Sequence, residues 1–243
     1  MTGKTIFIQG FAGFSAPLLP GFLPLEESAL KQTRERFSLR RADRFTTLAV
    51  MAAAAAAPGI DGETALITAS AFGPHRTTFA TLDDILDFAE DEILPTKFSH
   101  SVHNAAASYL GVVLGLRGPV LAVTGFEMVW FEAMELAATL LASEMAPQVL
   151  VVAAEEKALL TERAEAFYPG KFPGPFTEGA AALLLSSREG DNHFGSLVVD
   201  RDRNGGRSGF AFGLELDFWN GLTAGAVPEN CHVLGMPAVV PAG

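Results

Sequence analysis

Cysteine is almost absent from this chain. Its single occurrence, Cys231 among 243 residues, excludes an internal disulfide and fits a reducing compartment. Positive charge is scarce too: 17 Lys and Arg stand against 28 Asp and Glu, a formal net charge of −11. That balance lacks the cationic excess needed to displace counterions, which argues against nucleic acid as a partner. No run reaches the eighteen or so apolar residues of a spanning helix. The apolar start that follows Lys4 is broken by Gln9 and by several Pro and Gly residues. It therefore reads as a buried strand and loop rather than a secretory signal, and the expected location is cytoplasmic.

What is present is a globular balance, 49% hydrophobic and 19% charged, in a chain long enough for one large α/β domain or two small ones. Short apolar runs at Thr5 to Phe11, Ala65 to Ala69, Val120 to Thr124, Val149 to Ala153, Ala180 to Ser186 and Leu197 to Val199 read as buried strands. Between them the pattern is helical. One long helix is expected from Ser28 to Ala57, basic at first and then alanine-rich, stopped by Pro58-Gly59. Others are expected from Thr81 to Pro95, from Ala105 to Leu116 behind an Asn104 cap, and from about Met128 to Ser143. Strands alternating with such helices indicate βαβ units and a layered sheet. Residues 201–243, opening on Asn204-Gly205-Gly206, lack clear periodicity and read as an extension of a main unit over 1–200.

The local signatures of chemistry are largely missing. There is no P-loop and no zinc-type Cys/His spacing, and Gly10 with Gly13 does not complete a dinucleotide fingerprint, so neither metal nor cofactor is expected. No Gly-x-Ser-x-Gly elbow occurs, which leaves a hydrolase using Ser70 or Ser101 with little support. His100 and His103 precede a helix cap without a third ligand. The adjacent carboxylates Asp83-Asp84, Asp91-Glu92 and Glu155-Glu156 read as solvated charges. Cys231 beside His232 has no electropositive setting that would favour a thiolate. Five arginines, Arg34, Arg36, Arg40, Arg41 and Arg44, are the one basic concentration. They are either a solvated helix face or a docking surface for an acidic partner.

Residues 94–107, Leu94-Pro-Thr-Lys-Phe-Ser-His-Ser-Val-His-Asn-Ala-Ala-Ala, resemble the Pro-x-x-Phe-Ser-x-Ser-Val-His-Asn-Ala stretch of β-ketoacyl-synthase-like N-terminal domains. Phe176-Thr-Glu-Gly-Ala-Ala-Ala-Leu-Leu-Leu is similar to the Gly-Glu-Gly-Ala-Gly segment of the same domains. Strand 120–124, the helix after it and strand 149–153 match their strand–nucleophile–helix–strand core. The resemblance covers roughly residues 30 to 200 and implies the N-terminal half of a thiolase-like layered α-β-α fold.

The departures bear on function. In an active ketosynthase the turn after the strand equivalent to 120–124 carries a cysteine among small residues, at a helix start that favours its thiolate. Here that turn reads Thr124-Gly125-Phe126-Glu127-Met128-Val129-Trp130, with Glu127 near the cysteine position. A carboxylate cannot carry an acyl thioester, and the family's catalytic histidines lie in a second half-fold that this length does not accommodate. No catalytic residue is therefore assigned. Phe126, Glu127, Met128 and Trp130 are expected to plug or shape an acyl pocket, although core packing is the plainer reading, preferred for Phe131. His103 and Asn104 match a motif beside that pocket and are expected to organise its loop.

The resemblance implies a non-catalytic chain-length-factor-like subunit, nearest the small one of aryl-polyene pathways. It would pair with a full-length ketosynthase and meet an acyl or polyenoyl chain on an acyl carrier protein. The alternative is a stand-alone, homodimeric acyl- or carrier-protein-binding module.

Overall fold

The computed structural model describes residues 5–19, 21–125, 129–167, 169, 176–190, 194–200, 210–211, 214–215 and 231–234. Its strands are β1 (Ile6–Ala16), β2 (Leu23–Pro24), β3 (Ala65–Ser70), β4 (Val120–Thr124), β5 (Gln148–Glu155), β6 (Glu178–Ser186), β7 (Gly195–Asp200), β8 (Phe210–Ala211), β9 (Leu214–Glu215) and β10 (Cys231–Leu234). The helices are α1 (Glu27–Arg36), α2 (Arg44–Ala56), α3 (His75–Asp87), α4 (Pro95–His100), α5 (Ala105–Val113), α6 (Val129–Ala142) and α7 (Leu159–Phe167), with one 3-10 turn over Glu90–Glu92. The main sheet has the order β10-β7-β1-β6-β5-β3-β4, with β2 beside β1. Strands β3, β4 and β5 are parallel, and β6 is antiparallel to both β5 and β1. In the C-terminal stretch expected to be an extension, β10 runs parallel to β7 and joins the sheet.

Alternation along the central strands sends side chains to two separate cores. Val149, Val151 and Ala153 of β5, with Ile67 of β3 and Leu183 of β6, pack beneath α6 through Trp130, Met134 and Ala137. Leu150, Val152 and Ala154, with Leu66 and Ala182, face α2 and α5 on the other side. Helices on both faces of a mostly parallel centre explain why β3, β5 and β6 read as unbroken apolar runs.

Helix α2 lies unusually close to the sheet. Its buried alanines contribute little transfer energy, since one methyl is worth under about 1 kcal/mol, against about 1.5–3 kcal/mol for a large apolar side chain. Anchoring therefore falls to Phe45, Leu48 and Met51, which are buried beside Val50. The alanines instead permit approach: a Cβ at Gly10 would collide with the backbone carbonyl of Ala56.

Four helix boundaries differ from the sequence reading. The expected single helix over 28–57 is broken into α1 and α2. Ser38 takes φ 54, and Ser38 and Leu39 donate back to the carbonyls of Glu35 and Arg34 at 3.3 and 2.9 Å, which closes a Schellman turn. Asp43 then caps α2, accepting the Thr46 N–H at 2.8 Å. Helix α3 starts at His75 rather than Thr81, and Pro95 opens α4 at its first turn instead of ending a helix. Helix α5 stops at Val113, because Gly115 at φ +67 makes a second Schellman turn.

Candidate functional site

The parallel strands β3, β4 and β5 end at one edge of the sheet, with Ser70 opposite Thr124 and Ala69 opposite Ala153. In open α/β sheets the carboxyl ends of parallel strands flank the usual binding crevice. Here β3 leads into the loop 71–74 and β4 towards Gly125, while β5 ends in Glu155 with Glu156 next in the chain.

Those two carboxylates are buried, not solvated as their adjacency implied: Glu155 is 6% exposed and Glu156 1%. Glu155 organises the loop after β3. Its Oε1 accepts the Ser70 hydroxyl at 3.0 Å and the Ala71 N–H, and its Oε2 accepts the Phe72 N–H at 3.2 Å. Ser70 Oγ in turn accepts the Gly73 N–H at 2.7 Å. Burial lifts the Glu155 carboxyl to about 7 even against these bonds, which favour its ionised form. Glu156, just beyond β5, accepts the Arg76 N–H at 2.8 Å and so caps α3 from a segment distant in sequence. Burial lifts it to about 7 as well. Neither residue was singled out for a role from sequence; only their place at a strand end, just past an apolar run, could have indicated it.

His103 and Asn104 are exposed, before the first turn of α5. The His103 ring lies over Gly73, where a Cβ would sit 2.6 Å from its Cδ2. A bulkier residue than glycine would therefore displace either the ring or the loop. The Asn104 side chain makes no cap bond; its backbone carbonyl receives the Ser108 N–H at 3.0 Å. Trp130, in the first turn of α6, is 1% exposed and packed in the core, with no partner for its indole N–H among the described residues. Phe126, Glu127 and Met128 lie outside the described residues.

The five arginines do not form one free surface. Arg34, Arg36, Arg40 and Arg41 are exposed, whereas Arg44 is tied down. Its guanidinium meets Glu178 at 2.7 and 2.8 Å and Glu27 at 2.6 and 3.1 Å. Arg34 also donates to Thr47 Oγ1 at 3.1 Å. The serines weighed as nucleophiles are occupied: Ser70 on Glu155, and Ser101 donating to the Phe98 carbonyl at 2.8 Å. Among the described residues no cluster of three His, Cys, Asp or Glu could hold a metal ion, and no helix is long and apolar enough to cross a membrane.

At the sheet edge, β4 is the last strand and, among the described residues, is paired only on its β3 side, and every second residue from Val120 to Thr124 is exposed. Val120 itself is 41% exposed, and Val112 of the adjacent α5 is 83% exposed.

A layered α-β-α sheet of this topology, with a helix leaving the turn after β4, is the thiolase-like arrangement of ketosynthase domains. The family profile described as "Beta-ketoacyl synthase, N-terminal domain" matches residues 30–193, and the chain belongs to that family. Comparison with curated protein sequences gives no significant match. Among solved structures, the ishigamide ketosynthase/chain length factor is similar with a TM-score of 0.63 at 17% identity, over 78% of this chain and 64% of that one. The present sequence thus spans less than two thirds of that relative's length. A ketosynthase (ApeO) in complex with its chain length factor (ApeC) from Xenorhabdus doucetiae matches with a TM-score of 0.57 at 20% identity, over 76% of this chain and 80% of that one. A type II polyketide ketosynthase solved with its acyl-carrier protein (AntDE:AntF) matches with a TM-score of 0.63 at 13% identity, over 95% and 84%.

Proposed function

We propose that this chain is a chain-length-factor-like subunit: it does not condense acyl groups itself but pairs with a cysteine-bearing ketosynthase and shapes the pocket for the growing chain. The observation that carries this reading is the turn Thr124 to Trp130. It has no cysteine and offers Phe126, Glu127, Met128 and Trp130 where the family's nucleophile would stand among small residues. Without a thiolate at that helix start, no acyl-enzyme thioester forms there. Trp130, buried in the core, would act by bedding the turn, and the residues at 126–128 would supply the bulk.

The exposed β4 edge supports the pairing. A strand that among the described residues has no neighbour on one side, with its own Val120 and the nearby Val112 exposed, is the kind of edge that proteins cover. Pairing of β4 with its counterpart on a ketosynthase subunit would do so. The cargo would be an acyl or polyenoyl chain delivered on an acyl carrier protein, of aryl-polyene type. The test is co-expression of the tagged chain with a full-length ketosynthase of such a pathway. A stoichiometric complex whose product length shifts when Phe126 and Met128 are cut to alanine is expected; a stable monodisperse monomer with no such partner would sink the reading.

A second reading, a stand-alone module that binds acyl carrier protein as a homodimer, is favoured by the four exposed arginines. Their charge suits an acidic carrier. A homodimer that binds carrier protein without any ketosynthase would favour it.

A further inference from the structure

Helix α3 is built inside out. Of its 13 residues only His75 and Thr81 are buried, while Leu82, Ile85 and Leu86 are exposed. Spacings of three and four set those three on one stripe, the pattern of a helix that packs its apolar side on another surface. What ties α3 to its neighbour α4 is polar instead. Thr78 donates to the Ser101 carbonyl just past α4 at 2.7 Å, and Lys97 donates to Asp84 at 2.6 Å. Exposed apolar side chains continue beyond the helix at Phe88, Leu94 and Phe98, with Leu86 at 82% and Phe88 at 57% the most prominent of the acidic stretch. Single exposed hydrophobics are ordinary, but six between Leu82 and Phe98 form a patch of the kind that marks an interaction site.

The patch is continuous with the sheet edge. Helix α4 packs between α3 and α5, and α5 packs on β4. Apolar exposure therefore runs on through Val102 and Val112 to Val120 of β4. Its charge is of one sign. Asp83, Asp84, Asp87, Glu90, Asp91 and Glu92 crowd the same stretch, and Lys97, the one basic residue from 82 to 98, is already spent on Asp84.

That charge selects the occupant. A second copy, brought face to face across a two-fold axis, would set one acidic run against another. The chain's own basic stretch, Arg34 to Arg41, has no large apolar residue exposed to meet the stripe. An acidic carrier protein would be repelled, and a helix lying on a membrane surface carries basic rather than acidic flanks. We infer that the α3–α4 face docks the apolar, Lys/Arg-ringed surface of an unlike subunit, which on the pairing proposed above is the ketosynthase. Leu86 and Phe88 are its anchors, and the acids beside them favour the unlike subunit over a second copy.

Affinity of the full chain for a full-length ketosynthase of such a pathway tests it. Leu86→Ser with Phe88→Ser should weaken the complex at least about tenfold. Asp83→Lys with Asp87→Lys should weaken it about tenfold at ~50 mM salt and little at ~500 mM. All four side chains are exposed, so both variants should keep the far-UV CD spectrum and thermal midpoint of the unsubstituted chain. Unchanged affinity in either variant overturns the inference, and so does a homodimer of the unsubstituted chain that the serine variant dissolves. If no ketosynthase binds, the pairing reading falls, and a synthetic amphipathic Leu/Lys helix probes the face by itself. Binding stronger than that of the matching Leu/Glu helix, and lost in the serine variant, supports the face. Equal binding of the two helices, or binding that survives the serine substitutions, overturns it.

Discussion

Arg44 and Glu178 meet in a two-pronged ion pair, Nε to Oε1 at 2.7 Å and Nη2 to Oε2 at 2.8 Å, that fastens the start of α2 to the start of β6. Glu178 is the more buried partner, its side chain 11% exposed against 23% for Arg44. The desolvation cost therefore falls mainly on the carboxylate if the arginine is lost. Arg44→Ala should lower stability by about 2 kcal/mol, reduced from the fully buried case by partial exposure. Glu27→Ala, which removes the 76% exposed outer partner, should cost under about 0.5 kcal/mol. Urea midpoints of the two variants check the ordering.

The remaining arginines test carrier docking. Reversing Arg40 and Arg41 to Glu should weaken binding of an acidic acyl carrier protein at least about tenfold at low salt, and less as ionic strength rises. Arg44 is excluded from this test because its loss would perturb the fold. Titration calorimetry that shows equal affinity for both forms would leave the basic stretch as an ordinary solvated face.

Stability should depend on pH in an unusual direction. Glu155 is raised from 4.5 to about 7 by burial, so between those values the folded chain holds a proton that the unfolded chain has lost. Stability then falls as pH rises from about 5 to 8, by up to ~3 kcal/mol for one such group. His75, lowered by burial, acts the other way: below its usual 6.5 it weakens the fold as pH drops. A maximum on the acid side of neutrality is expected in denaturant midpoints from pH 5 to 8, and Glu155→Gln should flatten the alkaline limb.

Two glycine substitutions should diverge. Gly10→Ala drives a methyl into the Ala56 backbone and should destabilise by more than about 2 kcal/mol, since neither β1 nor α2 can yield without repacking. Gly111→Ala, inside α5, finds only Val120 Cγ2 at 3.8 Å and should stabilise by about 0.5–1 kcal/mol. Thermal melts of both variants settle the contrast.

Much of this architecture is written in local pattern. Val120 to Thr124 needed no adjustment, and the runs at 65–69, 149–153 and 180–186 grew by only a few residues in the structure. Their composition reports burial on both faces, which only a central strand meets. The break between α1 and α2 was equally encoded, in Ser38 and the Asp43 cap, but a non-glycine at positive φ leaves little trace in sequence. The start of α3 was not encoded locally. Its cap comes from Glu156, 80 residues away, which also explains why that carboxylate passed for a solvated one. Arg44 was legible as charge but not as a residue already spent on Glu178.

The place of β1 governs how the chain can be assembled during translation. Phe7 lies opposite Ser186, and Ile6 opposite Leu197, so apart from the short β2 beside Phe14 and Ser15 the neighbours of this early strand are among the later segments to leave the ribosome. At ~5–20 residues per second, its ladder partners trail it by roughly 10–40 s. Throughout that interval an apolar strand, with one edge open and the other covered only at Phe14 and Ser15, must be kept from other nascent chains. Efficient production should therefore depend on factors that shield emerging segments, and slow cold expression should favour the folded form over inclusion bodies.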